Sequence, residues 1–382
     1  MKKLMLILCL LLCGCSREPV KQTPHSFSLA VIDTAASGSL ITFYDENYQP
    51  IGQESLPGKY FKDQSSGYSS ETVIHDGYAY ILPLRDHPQK MNEYGIVKLS
   101  LNDGTYEIIE TEVFENNHLY GSDEQLLLVQ HSPDFTWWRT CISFDTGEST
   151  LEKMPIRSPD LYYPLTDGWI HLITAPGIRL VHENNMFEQM NESVLSESSG
   201  IGSFTAMRPN SAYSALMNGI LYVPGSAEIL TLPEDTSDEE YENVQFAGYE
   251  FSLMKIDPET LAYESVSHDN RMLDQLLKLD ETRLIMTSYK QTMTSHEEGN
   301  ETHYSYSEND RRLTIFDTET EQFTDIDTDF NITMFCLSMN CIYAMDDQNV
   351  IHILDPESFD EIGSFRHETA EQNQPCILIP AR

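Results

Sequence analysis

The chain has 382 residues, with 23 Lys and Arg against 61 Asp and Glu, a net charge of −38. Charge of this sign repels phosphate, which excludes nucleic acid and a bare anionic bilayer as principal partners. Hydrophobic residues make up 40% and aromatics 10%, enough to pack a core, while seven cysteines are too few for a disulfide-built scaffold.

Met1-Lys2-Lys3 is a short basic start, and Leu4 to Leu12 (LMLILCLLL) is an apolar run. The run is about half the length that a membrane-spanning helix needs, so it reads as a secretory signal. The junction Leu12-Cys13-Gly14-Cys15 resembles the lipobox of bacterial lipoproteins, with Cys13 standing where Ala or Ser is commoner. The resemblance implies that the Cys15 thiol receives a diacylglycerol, that signal peptide 1–14 is removed, and that the protein sits lipid-anchored on the extracytoplasmic side of the cell membrane. Residues 15–26 are then a lipidated Cys and a polar tether carrying Pro19 and Pro24, and residues 27–382 a single domain. An acidic body is repelled by anionic lipid, so the acyl chains on Cys15 are the expected membrane attachment.

From residue 27 onward one phrase recurs: an alternating apolar strand ending in Asp or Asn, a polar turn, then another strand. It appears as Ile41–Asp45, Val97–Asn102, Cys141–Asp145, Leu253–Asp257, Leu313–Asp317 and Ile351–Asp355, with a degenerate copy at Ile178–His182. Alternation with period two makes a half-buried strand. Asp or Asn accepts from the backbone N–H two residues on and so reverses the chain. A second phrase, a tight turn followed by a hydrophobic strand, precedes most copies at Asp76-Gly77, Asp123, Asp167-Gly168, Asn218-Gly219, Asp280 and Asn340. Two hairpins make four antiparallel strands, the unit of a β-propeller blade.

Six whole units are expected at 71–111, 113–155, 161–193, 204–267, 272–328 and 330–366. Three strands near the start (27–33, 40–45 and 50–56) and one at the end (376–380) remain, and together they complete a seventh blade. That closure leaves no open sheet edge. The expected fold is therefore all-β, a seven-bladed propeller of four-stranded antiparallel blades sealed by both chain ends. Eight blades, or two β-sandwiches, are the alternatives.

The connections between second and third strands read as long loops at Pro83–Tyr94, His131–Trp138, Gly225–Gly248 and Ser288–Asp310, all on one face of the ring. Gly225–Gly248 carries seven acids and no Lys or Arg; Ser288–Asp310 carries five acids and Lys290. Tyr241, Tyr249, Tyr289, Tyr304 and Tyr306 lie in or beside them and are the candidate binding-face aromatics. Such a rim suits a basic protein, a peptide or a glycan.

Other constellations are weaker. Asp325-Ile-Asp327-Thr-Asp329 has the alternating carboxylates of a calcium loop, but Phe330 and Cys336 stand where an EF-hand needs Gly and Glu, so it reads as a turn. His296 and His303, with Glu297, Glu298 and Glu301, could take a divalent cation, although ordering a loose loop around it opposes binding. No cofactor is otherwise implied. Cys336 and Cys341 flank an expected hairpin turn, as a disulfide or as two buried thiols; Cys141 and Cys376 read as small core residues. His171 and His352 alternate within strands and read as structural, as does the packing pair Trp137-Trp138.

Asp145-Thr-Gly147 and Asn102-Asp-Gly-Thr105 resemble the turns of quinoprotein-type and YVTN-type propeller repeats, a resemblance of a few residues per blade that implies the fold alone. No nucleophile–base motif accompanies it. A lipid-anchored binding or scaffold protein is the expectation. The alternative is a propeller hydrolase of lactonase-like type with a divalent metal in the central channel.

Overall fold

The computed structural model describes residues 26–35, 38–61, 72–83, 95–111, 115–132, 134, 136–154, 161–174, 177–196, 207–231, 245–298, 301–369 and 374–381. These form strands β1 to β29 in seven antiparallel sheets, with no helix among them. Blade 1 runs outward as β29 (Gln374–Pro380), β1 (Leu29–Ala35), β2 (Gly38–Tyr44) and β3 (Pro50–Pro57). Blade 2 spans β4 (Thr72–His75) to β7 (Tyr106–Ile109), and blade 3 spans β8 (Glu115–Gly121) to β11 (Ser149–Lys153). Blade 4 spans β12 (Tyr162–Pro164) to β15 (Gln189–Ser196), and blade 5 spans β16 (Arg208–Pro209) to β20 (Tyr263–Val266). Blade 6 spans β21 (Met272–Lys278) to β24 (Gln322–Asp325), and blade 7 spans β25 (Ile332–Leu337) to β28 (Glu361–Arg366). Beyond β15, which ends at Ser196 in blade 4, the described residues up to 267 supply one sheet, so the count is seven and not eight.

The turns form for the local reasons that the repeated phrase contains. Asp257 Oδ1 accepts from the N–H of Glu259 at 2.8 Å, Asp355 Oδ1 from Glu357 at 2.9 Å, and Asp317 Oδ1 from Thr320 at 2.7 Å. In the degenerate copy the capping residue is Asn184 rather than His182: its Oδ1 accepts from Met186 and Glu188, both at 2.9 Å. Asp76-Gly77 and Asn218-Gly219 each hold two successive residues at positive φ (42° and 81°, 52° and 80°). Two consecutive left-handed residues are what the tightest hairpin turn requires.

Packing between blades makes the ring. Seven clusters of buried apolar side chains each bridge neighbouring blades. In β1, Ala30 and Ile32 face blade 2 with Ile81 and Leu99, whereas Leu29 and Val31 face blade 7 with Met345 and Ile353. Both sheet faces are thus buried, and only outer strands such as β11 are exposed along their length. Cys141 and Cys376 are free thiols in this core.

Closure joins the two chain ends. Ile32 pairs with Ile377 and Leu29 with Pro380. The register slips between Ile32 and Asp33, and the Cys376 thiol donates to the Ile32 carbonyl at 3.1 Å beside the slip. His367, on the link from blade 7, bolts the joint: its Nε2 lies 2.8 Å from Asp33 Oδ1 and its Nδ1 2.6 Å from the Tyr44 hydroxyl. A carboxylate can only accept, which assigns the donor proton to Nε2 and leaves Nδ1 for the tyrosine. Burial, with the charge of Asp33 added, holds the Tyr44 hydroxyl well above its ordinary pKa.

Cys336 and Cys341 are free, so the disulfide alternative is corrected. Cys336 pairs with Tyr343, and Leu337 with Ile342, which sets Cys336 and Cys341 on a diagonal of the hairpin. Diagonal neighbours stand about 7–8 Å apart, beyond the span of a relaxed disulfide.

Replacing Ile377 with Ala is expected to lower unfolding free energy by about 2–5 kcal/mol. Ile51→Ala, at a position 38% exposed on the outer strand β3, should cost less than about 1 kcal/mol. Urea unfolding of the two variants checks both figures.

Candidate functional site

In a four-stranded blade, turns joining strands one to two and three to four lie on one face. Connections from two to three, and from blade to blade, lie on the other. Among the described residues, blades 5 and 6 stand out on this second face. Their middle hairpins, expected as loops, are continuous two-stranded ribbons. In blade 5, β18 (Ile220–Thr231) pairs with β19 (Gln245–Ile256) out to Thr231 and Gln245. In blade 6, β22 (Arg283–Glu298) pairs with β23 (Glu301–Asp317) out to Glu298 and Glu301. The outer parts of β22 and β23 read as a loop because they are rich in Thr, Ser and Glu and carry little apolar alternation. The connection at His131–Trp138 is also tighter than expected: Trp137 pairs with His131, and the Ser132 N–H donates to Thr136 at 2.9 Å. Residues 84–94 of the Pro83–Tyr94 connection lie outside the described residues.

A charge network centred on one buried arginine fixes the root of the blade 6 ribbon. Arg271, 1% exposed, donates from Nε to Ser288 Oγ and from Nη1 to Asp310 Oδ2, both at 2.9 Å, and also to the Asp310 carbonyl. Ser288 and Asp310 are where the two ribbon strands leave the blade. Arg312 continues the network to Asp310 at 2.6 Å and Asp325 at 3.3 Å, and His268 Nε2 lies 2.7 Å from Asp325. Hydrogen bonds from Arg312 and Arg271 hold the Asp310 carboxyl below its usual range. Burial raises Asp325, but donation from His268 and Thr314 outweighs it, and the net direction is down.

Beside this root, between blades 6 and 7, lies a cleft of about 390 Å³ lined by Asp310, Asp327, Asp329, Asp346 and Asp347, with Phe330 in its wall. Its two arginines are already engaged, Arg312 as above and Arg311 with Glu308 at 2.7 Å. The cleft therefore presents net negative charge. Asp325 of the alternating-carboxylate run is turned toward His268 and Thr314, while Asp327 and Asp329 face the cleft, so the three do not converge on one point. His352 is structural: it stacks on Phe330 at 3.5 Å, and its Nδ1 lies 2.9 Å from Glu361. His171 likewise stacks on Tyr162 at 4.1 Å within the core. A second hollow, of about 550 Å³, opens on the opposite face between blades 5 and 6, where Lys255 is held by Glu264 and Glu321.

The candidate aromatics separate. Tyr249 is half-buried on β19, its carbonyl accepting from Asn270 at 3.0 Å. Tyr289, expected on the binding face, is 3% exposed; its hydroxyl donates to Met272 Sδ at 2.9 Å, and the Arg311 guanidinium covers its ring at 4.6 Å. Tyr304 and Tyr306 fall on the outer ribbon, and Tyr241 lies outside the described residues.

One further polar group carries no signal in the sequence. Asp274 sits in β21 at a bulge, beside Gln275 at φ 46°, and is 1% exposed. Its Oδ1 accepts from the Gln275 N–H at 2.8 Å, while its Oδ2 is buried and accepts no hydrogen bond. Burial pushes its pKa up to about 7, against the lowering effects of the Gln275 N–H, the Arg311 charge and the Ser211 hydroxyl. An acid strengthened in its neutral form favours the fold at low pH, and that contribution fades as pH rises from about 4 to about 7. Asp274→Asn should therefore stabilise the protein at pH 8, by up to about 4 kcal/mol, with the gain shrinking toward pH 4. Urea midpoints measured across that range give the test. Arg271→Leu, which removes the buried bonds to Ser288 and the Asp310 carbonyl while Asp310 keeps Arg312, should cost about 1–3 kcal/mol in the same assay.

No family profile matches the chain, and no curated protein does. Solved structures do. A puromycin hydrolase superposes with TM-score 0.54 at 10% identity, over 92% of this chain and 55% of that one. A puromycin-hydrolyzing peptidase of Mycobacterium tuberculosis gives TM-score 0.51 at 10% identity, over 93% and 56%. BamB from Moraxella catarrhalis gives TM-score 0.41 at 12% identity, over 91% and 92%. The chain spans little more than half of the two hydrolases, and at these identities the likeness is one of fold. It is a seven-bladed β-propeller.

Proposed function

We propose that the protein is a lipid-anchored, extracytoplasmic binding or scaffold protein that holds a basic protein or peptide on the ribbon-bearing face. The observation that carries this reading is that two neighbouring blades extend their middle hairpins on one face, beside a cleft whose carboxylates outnumber its already paired arginines. Complementary charge attracts and orients a cationic partner, and a net charge of −38 strengthens the long-range field.

The placement of the chain ends supports the orientation. Leu29 and Pro380 pair at the end of blade 1 where a first-to-second turn would otherwise stand, and Ala381 N–H donates to Ser28 at 2.9 Å. The chain therefore enters the ring on the face opposite the ribbons. A lipid on Cys15 would tether that face and leave the ribbons directed away from the bilayer.

Photo-crosslinking residues placed at Asp347 and Lys290 in cells are expected to trap a partner, and one placed at Asn47 on the opposite face is not. Equal trapping from both faces, or trapping from Asn47 alone, would overturn the assignment of the face. A palmitate analogue should label the wild-type chain and hold it in the membrane fraction; Cys15→Ser should lose both the label and the membrane.

A further inference from the structure

We propose that the link from blade 5 to blade 6, residues 267–271, is a clamp that fixes the gap between the two ribbons, so that they hold a partner as one unit. The outer neighbour of β19 ends early: β20 stops at Val266, opposite Leu253, while β19 extends on the ribbon side to Gln245. Past Leu253 the N–H and C=O groups on this edge of β19 need other partners. The link supplies them with side chains. Ser267 Oγ donates to the Phe251 carbonyl at 3.2 Å, Asn270 Oδ1 accepts from the Phe251 N–H at 2.8 Å, and Asn270 Nδ2 donates to the Tyr249 carbonyl at 3.0 Å. Tyr249 and Phe251 are two residues apart, the spacing at which one strand edge presents successive bonding groups. Two side chains thus continue the ladder that β20 leaves off.

The very next residue holds the other ribbon. Arg271 donates to Ser288 on one strand, from Nε to Oγ at 2.9 Å and from Nη2 to the carbonyl at 3.3 Å, and from Nη1 to Asp310 Oδ2 at 2.9 Å on the other. The turn between the two grips is closed by the Arg271 N–H donating to the His268 carbonyl at 2.8 Å, with Asp269 and Asn270 both left-handed at φ 49° and 51°. Asparagine takes that conformation more readily than most residues, and its amide offers a donor and an acceptor together. His268 fastens the turn to the outer strand of blade 6: its Nε2 lies 2.7 Å from Asp325 Oδ1, and its ring stacks on Phe323 at 4.6 Å. Adjacent residues of one pinned turn therefore set both ribbons, and so set their separation. A partner that spans the two meets a preformed seat, and less freedom is lost on binding. Farther out, where His296 pairs with His303, the side chains lie outside the described residues; the clamp acts at the root.

The test places spin labels, carried on non-canonical residues of the full-length chain, at the exposed positions Ile229 and Lys290, one on each ribbon. Double electron–electron resonance then measures their separation, and the wild-type chain should give one narrow distribution. N270G keeps the left-handed backbone and removes both side-chain bonds; it should broaden the distribution and speed exchange of the Phe251 amide about tenfold. D269G places glycine at the neighbouring left-handed position, outside the bond set, and should keep the wild-type distribution. A third readout, which alone rests on the proposed partner, is photo-crosslinking from Lys290, where N270G should trap severalfold less than the wild type. A broad wild-type distribution, an N270G distribution that matches the wild type, a D269G broadening equal to that of N270G, or full trapping by N270G would overturn the proposal. If the wild-type chain traps nothing, the reading of the face falls, and the distance measurement still decides the clamp.

Discussion

The second strand of blade 1 needs a neighbour on each side, and one of them arrives at the far end of the chain: Cys376 reaches the carbonyl of Ile32 across 344 positions. Bringing ends so distant together costs about 5 kcal/mol in chain entropy. Val31, Ile32, Ile377, Leu378 and Ile379 are almost wholly buried by the joint, at about 2 kcal/mol each, which exceeds that cost. The hydrogen-bonded set of Asp33, His367 and Tyr44 then fixes one register against its neighbours. Every other blade interface repeats the same two-sided packing, so the joint decides whether the ring exists, and the remaining blades decide how large it is.

The regularity of the ring gives meaning to its exceptions. Blades 5 and 6 use the same turns and the same buried positions as the others, yet continue their middle strands past the rim. The blade 6 ribbon has an anchor at its root: Arg271 grips both departing strands, at Ser288 and at Asp310. Buried ion pairs contribute little net stability once desolvation is counted. Their geometric demand is stricter: two acceptors on two strands must meet one planar guanidinium, and that fixes the direction in which the ribbon leaves the blade.

The blades were readable in the sequence because what defines them is local. Asp257, Asp317 and Asp355 reverse the chain through bonds made within three residues, and the strands before them alternate in polarity. The extra strand at Cys376–Pro380 was readable because a ring with an open edge is a poor solution. The blade 6 ribbon was not readable as a ribbon, since Thr292, Thr294 and Ser305 carry no apolar signal and pairing alone makes them strands. Tyr289 resembled an exposed aromatic by its neighbours in sequence, but the neighbour that matters, Arg311, lies across the hairpin. Asp33 with His367, and Asp274 with Ser211, could not be foreseen, because each pair meets only when distant blades are docked.

A chain is made from its amino end, and here the strand that closes blade 1 is made after all the other six blades. Until residues 374–380 have emerged, blade 1 is missing its innermost strand, and the Val31–Leu378 and Ile32–Ile377 pairings cannot form. A nascent chain therefore carries an exposed, adhesive strand edge until residues 374–380 follow. Loss of residues 374–380 would leave that edge open for good, and such a molecule would be prone to join a second copy edge to edge.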